Sequence, residues 1–301
     1  MSPLQPANMT ATVMAWSLSR LTAGQRVVLA SVVETAGSVP GKVGARLAMD
    51  SDEQWVGTVG GAGLELKVLQ RCREHLQTQQ RPFGEVVRYG LNKGAKGYEV
   101  TPLDSLCGGQ VTLAIEVMIP MPHVLLMGGG HCGQALAKTL DALGWKHSIH
   151  DTRTEFSSEG MYPNAEQRSS ASVDAFLQAE TLESLRRFSD VLLLGHDWSE
   201  DQERLLGLLH RFKNANAIPD GQQGPRIGVI GSRSKWQAFE KTCLEQGIEQ
   251  PILDAVVCPI GLNIGAESPE EIAVAVVAQI MASFKGVDAD APTWRTSFTF
   301  E

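Results

Sequence analysis

The chain has little of what would mark a secreted, membrane-spanning or nucleic-acid-binding protein. Five cysteines in 301 residues, Cys72, Cys107, Cys132, Cys243 and Cys258, are too few for a disulfide scaffold. None stands at C-x-x-C spacing, so neither a zinc knuckle nor a thioredoxin-type pair is indicated, and each cysteine is judged by its own surroundings. No run is long and apolar enough to read as a membrane span. Positive charge is in deficit: the net charge of -8 opposes broad attraction to phosphate backbones or anionic lipid and leaves only local basic pockets for anions. Neither nucleic acid nor a membrane is therefore an expected partner. Met1 to Arg20 lacks a basic segment followed by an apolar run, so no secretion signal is expected and the expected location is cytoplasmic.

What is present is a globular composition, 43% apolar and 20% charged, in a chain longer than one compact core usually needs. Two domains are expected, 1–120 and 121–285, with a loose tail over 286–301. In the first, Met14–Leu21 reads as a helix and Arg26–Val33 as a buried strand. The loop Gly37-Ser38-Val39-Pro40-Gly41-Lys42-Val43-Gly44-Ala45-Arg46 lets backbone approach a ligand and supplies two cations, although the same residues suit a plain hairpin connection. Strand Trp55–Val59, the turn Gly60-Gly61-Ala62-Gly63 and helix Leu64–Gln77 follow, a junction that points backbone N–H groups at whatever lies above it. Strand-like Glu85–Tyr89 and Val111–Val117 flank a polar stretch containing Cys107-Gly108-Gly109. With little helix between these strands, a mixed or antiparallel sheet is expected, ending near Pro120-Met121-Pro122.

From His123 onward strands and helices alternate: His123–Met127, helix to Leu143, Lys146–His150, helix Val173–Phe188, Val191–Gly195, helix to Phe212, Ile227–Ile230 and helix to Gln246. The fold class that follows is α/β, a C-terminal Rossmann-like doubly wound parallel sheet beside a smaller N-terminal mixed α+β domain. Ser268-Pro269-Glu270-Glu271 announces the last helix with an N-cap serine, a first-turn proline and a capping-box glutamate.

Within this alternation Gly128-x-Gly130-x-x-Gly133 follows an apolar strand and opens a helix. Asp151 lies where a ribose-binding acid belongs. Inside the turn stand His131 and Cys132; a cysteine at a helix N-terminus has its thiolate favoured, though packing filler explains it as well. Gly195-His196-Asp197 and Gly231-Ser232-Arg233-Ser234-Lys235 end two later strands at the carboxyl edge. Ser232 can cap its helix while Arg233 and Lys235 add charge for a phosphate. His196 and Asp197 could serve acid–base chemistry or form a structural hydrogen bond. Read alone, the Gly128–Gly133 turn with Asp151 fits an NAD(P)-dependent oxidoreductase, and a scaffold acting only through protein contacts is a further possibility.

The ordered set of motifs resembles the xanthine dehydrogenase accessory proteins of the XdhC/CoxI family. It comprises Gly37-Ser38-Val39-Pro40 with Gly44-Ala45, Gly60-Gly61 with Glu65, Cys107-Gly108-Gly109, Gly128-x-Gly130-His131-x-Gly133, Gly195-His196-Asp197, Gly231-Ser232-Arg233-x-Lys235, and Pro259–Ala273. The resemblance implies a non-catalytic chaperone of purine catabolism. Such a helper receives molybdenum cofactor in its molybdopterin form, holds it while a cysteine desulfurase installs a terminal sulfido ligand, and delivers it to the molybdenum subunit of xanthine dehydrogenase or a related hydroxylase. It further implies a homodimer and a metal contact from Cys107. Cofactor-binding residues expected on this basis are Cys107, Gly108, Gly109, Gly128, Gly130, His131, Gly133, Asp151, His196, Asp197, Ser232, Arg233 and Lys235.

Overall fold

A computed structural model describes residues 6–79, 81–91, 100–102 and 109–289. The chain divides into two compact units, Met1–Pro120 and Met121–Glu301. Among the described residues no helix is long and apolar enough to cross a membrane.

The first unit runs α1 (Pro6–Thr22), β1 (Val27–Ala36), β2 (Arg46–Asp50), β3 (Trp55–Gly57), α2 (Ala62–Thr78), β4 (Phe83–Gly90), β5 (Val100–Pro102) and β6 (Gln110–Met118). Among the described residues its six strands are ordered β3-β2-β1-β6-β4-β5, antiparallel except where β4 meets β5. The continuous apolar run of β1 has a simple cause: both faces of this strand are covered. Val28, Ala30 and Val32 join the core with Leu64, Val68, Leu69 and Leu76 of α2, whereas Val27 and Leu29 pack with Val13 of α1. Strand β2 is not among the expected elements, because Arg-Leu-Ala-Met-Asp carries no β-branched residue. Pairing with β1, Leu29 opposite Ala48, and burial of Leu47, Ala48 and Met49 override that weak propensity.

The second unit runs β7 (His123–Met127), α3 (His131–Ala142), β8 (Lys146–His150), a short 3-10 turn (Thr154–Ser157), β9 (Arg168–Ser169), α4 (Val173–Ala179), α5 (Leu182–Leu185), β10 (Asp190–Leu193), α6 (Trp198–Asn214), β11 (Arg226–Val229), α7 (Arg233–Glu245), α8 (Gln250–Asp254) and α9 (Pro269–Lys285). All pairings are parallel, in the order β11-β10-β7-β8-β9, which within this unit is 5-4-1-2-3 and so the arrangement of a dinucleotide-binding half. Each β7 residue is buried, and its alternate side chains feed two cores. Leu125 and Met127 join α4, α6 and α7, while Val124 and Leu126 join α3 and α9. Burying each such side chain is worth about 1.5–3 kcal/mol.

A single helix over Val173–Phe188 is not what forms. The chain turns extended at Glu180, Thr181 caps α5 reciprocally with Ser184, and the Arg211 guanidinium takes the Leu177 and Glu180 carbonyls that a continuing helix would have bonded. Ser268 and Glu271 form the expected capping box on α9, and Gly286 ends that helix in the left-handed conformation (φ 59°). Of the expected tail, residues 290–301 lie outside the described residues.

Candidate functional site

In the second unit strand order reverses between β7 and β10, so the loops leaving their carboxyl ends diverge and bound a crevice. The glycines of the first loop have separate geometric reasons. Gly128 has φ +129°, and a Cβ there would lie 2.6 Å from the Leu194 backbone, so this loop presses on the one leaving β10. A Cβ on Gly133 would lie 2.3 Å from the Gly128 carbonyl oxygen, which is what lets α3 pack directly on its strand. Gly130 differs: nothing lies within 4 Å of its Cβ position, and as N-cap of α3 it has no side chain satisfying the first helical N–H groups. The start of α3 is therefore an open, uncapped helix terminus, which favours anions.

His131 at this terminus is exposed and Cys132 half-buried. Burial, reinforced by Glu270, pushes the Cys132 thiol up, so it is a protonated packing group and not the thiolate that its helix position suggests.

Asp151 follows β8 directly and is 2% exposed. Its Oδ2 accepts the Gly129 N–H (2.7 Å) and Arg153 Nη2 (2.8 Å); its Oδ1 accepts Arg153 Nε (2.9 Å) and the Arg153 N–H (3.0 Å). Burial alone would raise this carboxyl, but the Arg153 guanidinium and the two backbone donors outweigh it and hold it at about 2. Arg153 in turn lies over the Phe156 ring, 3.8 Å from its centroid.

The loops after β10 and β11 carry the remaining expected residues. His196 is exposed, and no His196–Asp197 hydrogen bond forms: Asp197 caps α6, accepting the Ser199 (2.7 Å) and Glu200 (3.1 Å) N–H groups, which hold its carboxyl low. Ser232 caps α7 through the Lys235 N–H (3.3 Å), and Arg233 at its first position is exposed. Lys235 does not project as a free cation. Its ammonium donates to Asp201 Oδ2 (2.8 Å) and the Ile230 carbonyl (3.3 Å).

That contact exposes a buried network absent from the expected set. Asp201, 0% exposed, also accepts the Gly195 N–H (3.1 Å) and Arg204 Nη1 (3.1 Å) through Oδ1. Arg204, 1% exposed, reaches Glu200 (3.1 Å), which accepts Thr152 Oγ1 (2.7 Å). Asp201 thus ties together the loop after β10 and the start of α7, and the chain of bonds reaches the residue after Asp151. The i,i+3 and i,i+4 spacing of Arg204 from Asp201 and Glu200 is its only mark in the sequence, and on a helix such pairs usually face solvent.

In the first unit, Cys107 and Gly108 lie outside the described residues. Gly109 is buried, and a Cβ there would meet Val39 (2.4 Å) and the Ala36 (2.5 Å) and Ser38 (2.7 Å) carbonyl oxygens. On Gly60 a Cβ would lie 2.1 Å from the Gly41 Cα, and on Gly61 3.1 Å from the Pro40 ring. The Gly37–Gly41, Gly60-Gly61 and Gly109 segments, distant in sequence, therefore meet at one place. Thr58 bridges them to α2, accepting the Gly60 N–H (3.1 Å) and donating to Glu65. Among the described residues no group of three or more His, Cys, Asp or Glu could hold a metal ion.

A family model described as the XdhC Rossmann domain matches residues 124–280, and one described as the XdhC and CoxI family matches residues 20–90. An uncharacterised Escherichia coli protein, YqeB, is 29% identical over 259 residues, 84% of this chain and 42% of that protein. A Bacillus subtilis protein described as a probable xanthine dehydrogenase component is 27% identical over 176 residues, 58% of this chain and 46% of that protein. The chain thus spans less than half the length of these curated relatives. A solved structure described as a xanthine dehydrogenase from Bacillus halodurans is 18% identical, with 98% of this chain and 100% of that one covered and a TM-score of 0.45. With more than half of its residues matched by the Rossmann-domain model, in the region whose strand order is 5-4-1-2-3, the chain belongs to the XdhC and CoxI family.

Proposed function

We propose that this protein is an accessory carrier of molybdenum cofactor for xanthine dehydrogenase or a related hydroxylase, with the cofactor as cargo and not as a resident catalyst. The observation that carries the reading is the open cradle above Gly130. There the uncapped start of α3 stands at the carboxyl edge whose neighbouring loops present His196, Ser232 and Arg233. A phosphate, such as the one on the cofactor's pterin, suits backbone N–H groups and a guanidinium of this kind. Gly128 and Gly133 shape the cradle, His131 stands at its rim, and Lys235, held by Asp201, braces it. Cys107, whose thiolate is a soft donor for molybdenum, is assigned a metal contact of its own, independent of this cradle. The role is protection and release: a cysteine desulfurase adds the sulfido ligand while the cofactor is held, and the molybdenum subunit of the hydroxylase receives it. The carrier acts as a homodimer in the cytoplasm. The name of the Bacillus subtilis relative supports the choice of recipient.

The test is elemental and pterin analysis of the protein isolated from cells that make the cofactor. Near-stoichiometric molybdenum and pterin are expected, with a marked loss of molybdenum in Cys107→Ala. Absence of both from the unaltered protein overturns the reading.

A further inference from the structure

In a parallel sheet of this order, the acid after the second strand ordinarily receives the ribose hydroxyls of an adenine dinucleotide. Asp151 occupies that position, directly after β8. A carboxylate offers roughly four lone-pair sites to donors. All of them are taken here: two by the Arg153 side chain, one by the Arg153 N–H and one by the Gly129 N–H. The space beside the acid is filled as well. A Cβ on Gly129 would lie 1.8 Å from the Phe156 carbonyl oxygen, so the turn Thr154–Ser157 rests on the glycine loop, and the Arg153 guanidinium, bonded to the carboxylate along its edge, has its face over the Phe156 ring. One residue further on, Gly130 has no atom within 4 Å of its Cβ position. The crevice is thus closed at its ribose end and open at its phosphate end.

We infer that Asp151, Arg153 and Phe156 are specificity determinants that shut this crevice to ribose-bearing dinucleotides. It accepts the phosphate of a cofactor without an attached nucleotide and rejects NAD(H), NADP(H) and nucleotide-extended pterins. What the crevice does hold rests on the carrier reading above; what it refuses rests on the Asp151 geometry alone. A ribose diol can bind only by displacing the Arg153 guanidinium, which exchanges a bidentate ion pair for hydrogen bonds from uncharged hydroxyls and leaves the guanidinium without its carboxylate. NADP(H) fares no better, because Arg153 must leave Asp151 to meet a 2′-phosphate, stranding a nearly inaccessible carboxylate.

The experiment is a titration of the full chain with NADH and with NADPH, followed by nicotinamide fluorescence and by calorimetry. The unaltered protein is expected to bind neither at concentrations up to about 1 mM, whereas Arg153→Ala, whose Asp151 regains free lone pairs, binds NADH at least about tenfold more tightly. Arg153→Lys keeps the positive charge and loses the fork, and serves if the alanine variant does not fold. Micromolar binding of either dinucleotide by the unaltered protein overturns the inference. So does a folded Arg153 variant with no gain. Pterin content is measured on the same preparations, which separates the two readings. Pterin bound together with NADH refutes the closed ribose end and leaves the carrier; neither bound refutes the carrier and leaves the closed end.

Discussion

Asp201 is the residue whose loss the second unit should tolerate least. It is fully buried and serves three donors: the Gly195 N–H at 3.1 Å, Arg204 Nη1 at 3.1 Å and Lys235 Nζ at 2.8 Å. Asp201→Asn keeps an oxygen for Gly195 but removes the charge. Lys235, 14% exposed at its side chain, can turn its flexible stem towards water. Arg204 cannot, since it is 1% exposed, its Nε already lacks a partner, and its remaining carboxylate is Glu200. Removing one partner of such a buried pair costs about 3–5 kcal/mol, because the other charge is left uncompensated. Adding Arg204→Met removes that stranded charge, so the double variant should be more stable than Asp201→Asn alone, giving a coupling of at least about 1 kcal/mol. The assay is urea unfolding followed by tryptophan fluorescence, in a background where Trp16, Trp55 and Trp294 are Phe so that Trp145, Trp198 and Trp236 report on the second unit. Midpoints are compared at equal slope. A cost for Asp201→Asn below about 1 kcal/mol, or additivity within about 0.5 kcal/mol in the double variant, refutes the argument.

Acid should destabilise the same unit before its carboxylates titrate. Burial holds His123 at about 4, so the unfolded chain, at about 6.5, binds the proton first; stability is complete above pH 6.5 and falls by up to about 3 kcal/mol as pH drops to 4. Urea midpoints across that range should slope, and His123→Leu should lessen the slope without abolishing it, because burial also lowers His147 and His150. Asp151 contributes in a lower window, between about 3.9 in the unfolded chain and about 2 in the folded one, its stabilisation present above that window and lost on acidification through it. Acid titration of Asp151→Asn should show that component missing. Gly133→Ala places a Cβ 2.3 Å from the Gly128 carbonyl oxygen and should cost about 1–3 kcal/mol by thermal melting, with loss of pterin retention as α3 shifts. Ser268→Ala should cost about 1 kcal/mol through the lost α9 cap, without touching the crevice.

Strands whose burial is complete are the easiest to read. His123–Met127 forms at its expected bounds because a strand covered on both faces demands an apolar run such as Val124–Met127; Lys146–His150 also forms at its expected bounds, although among its buried residues only Ile149 is apolar. The capping box at Ser268 is equally plain, being a local arrangement of four residues. Strand β2 and the two-residue β9 escape a sequence reading because their pairing partners, not their own side chains, make them strands. The Val173–Phe188 stretch misleads because the Arg211 side chain that ends α4 is 34 residues beyond Leu177, the residue whose carbonyl it takes. At the site, the spacings of Gly128, Gly130 and Gly133 carry their geometry openly. Asp151 does not: its position suggests an acceptor for a ligand, and only the folded chain reveals that Arg153, two residues on, has already taken it. Asp201 and Arg204 are hidden for a related reason, as charged residues on a helix that faces inward.

The placement of α9 has a consequence for how the molecule is made. Ala273, Val276, Val277 and Ile280 share a core with Val124, Leu126, Leu136 and Leu140, so one face of the sheet is sealed by the helix synthesised after every strand. The first unit closes its sheet with β6 and can mature while the ribosome is still extending the chain. Between the emergence of β7 and that of α9, the nascent second unit exposes an apolar surface that a holdase could recognise.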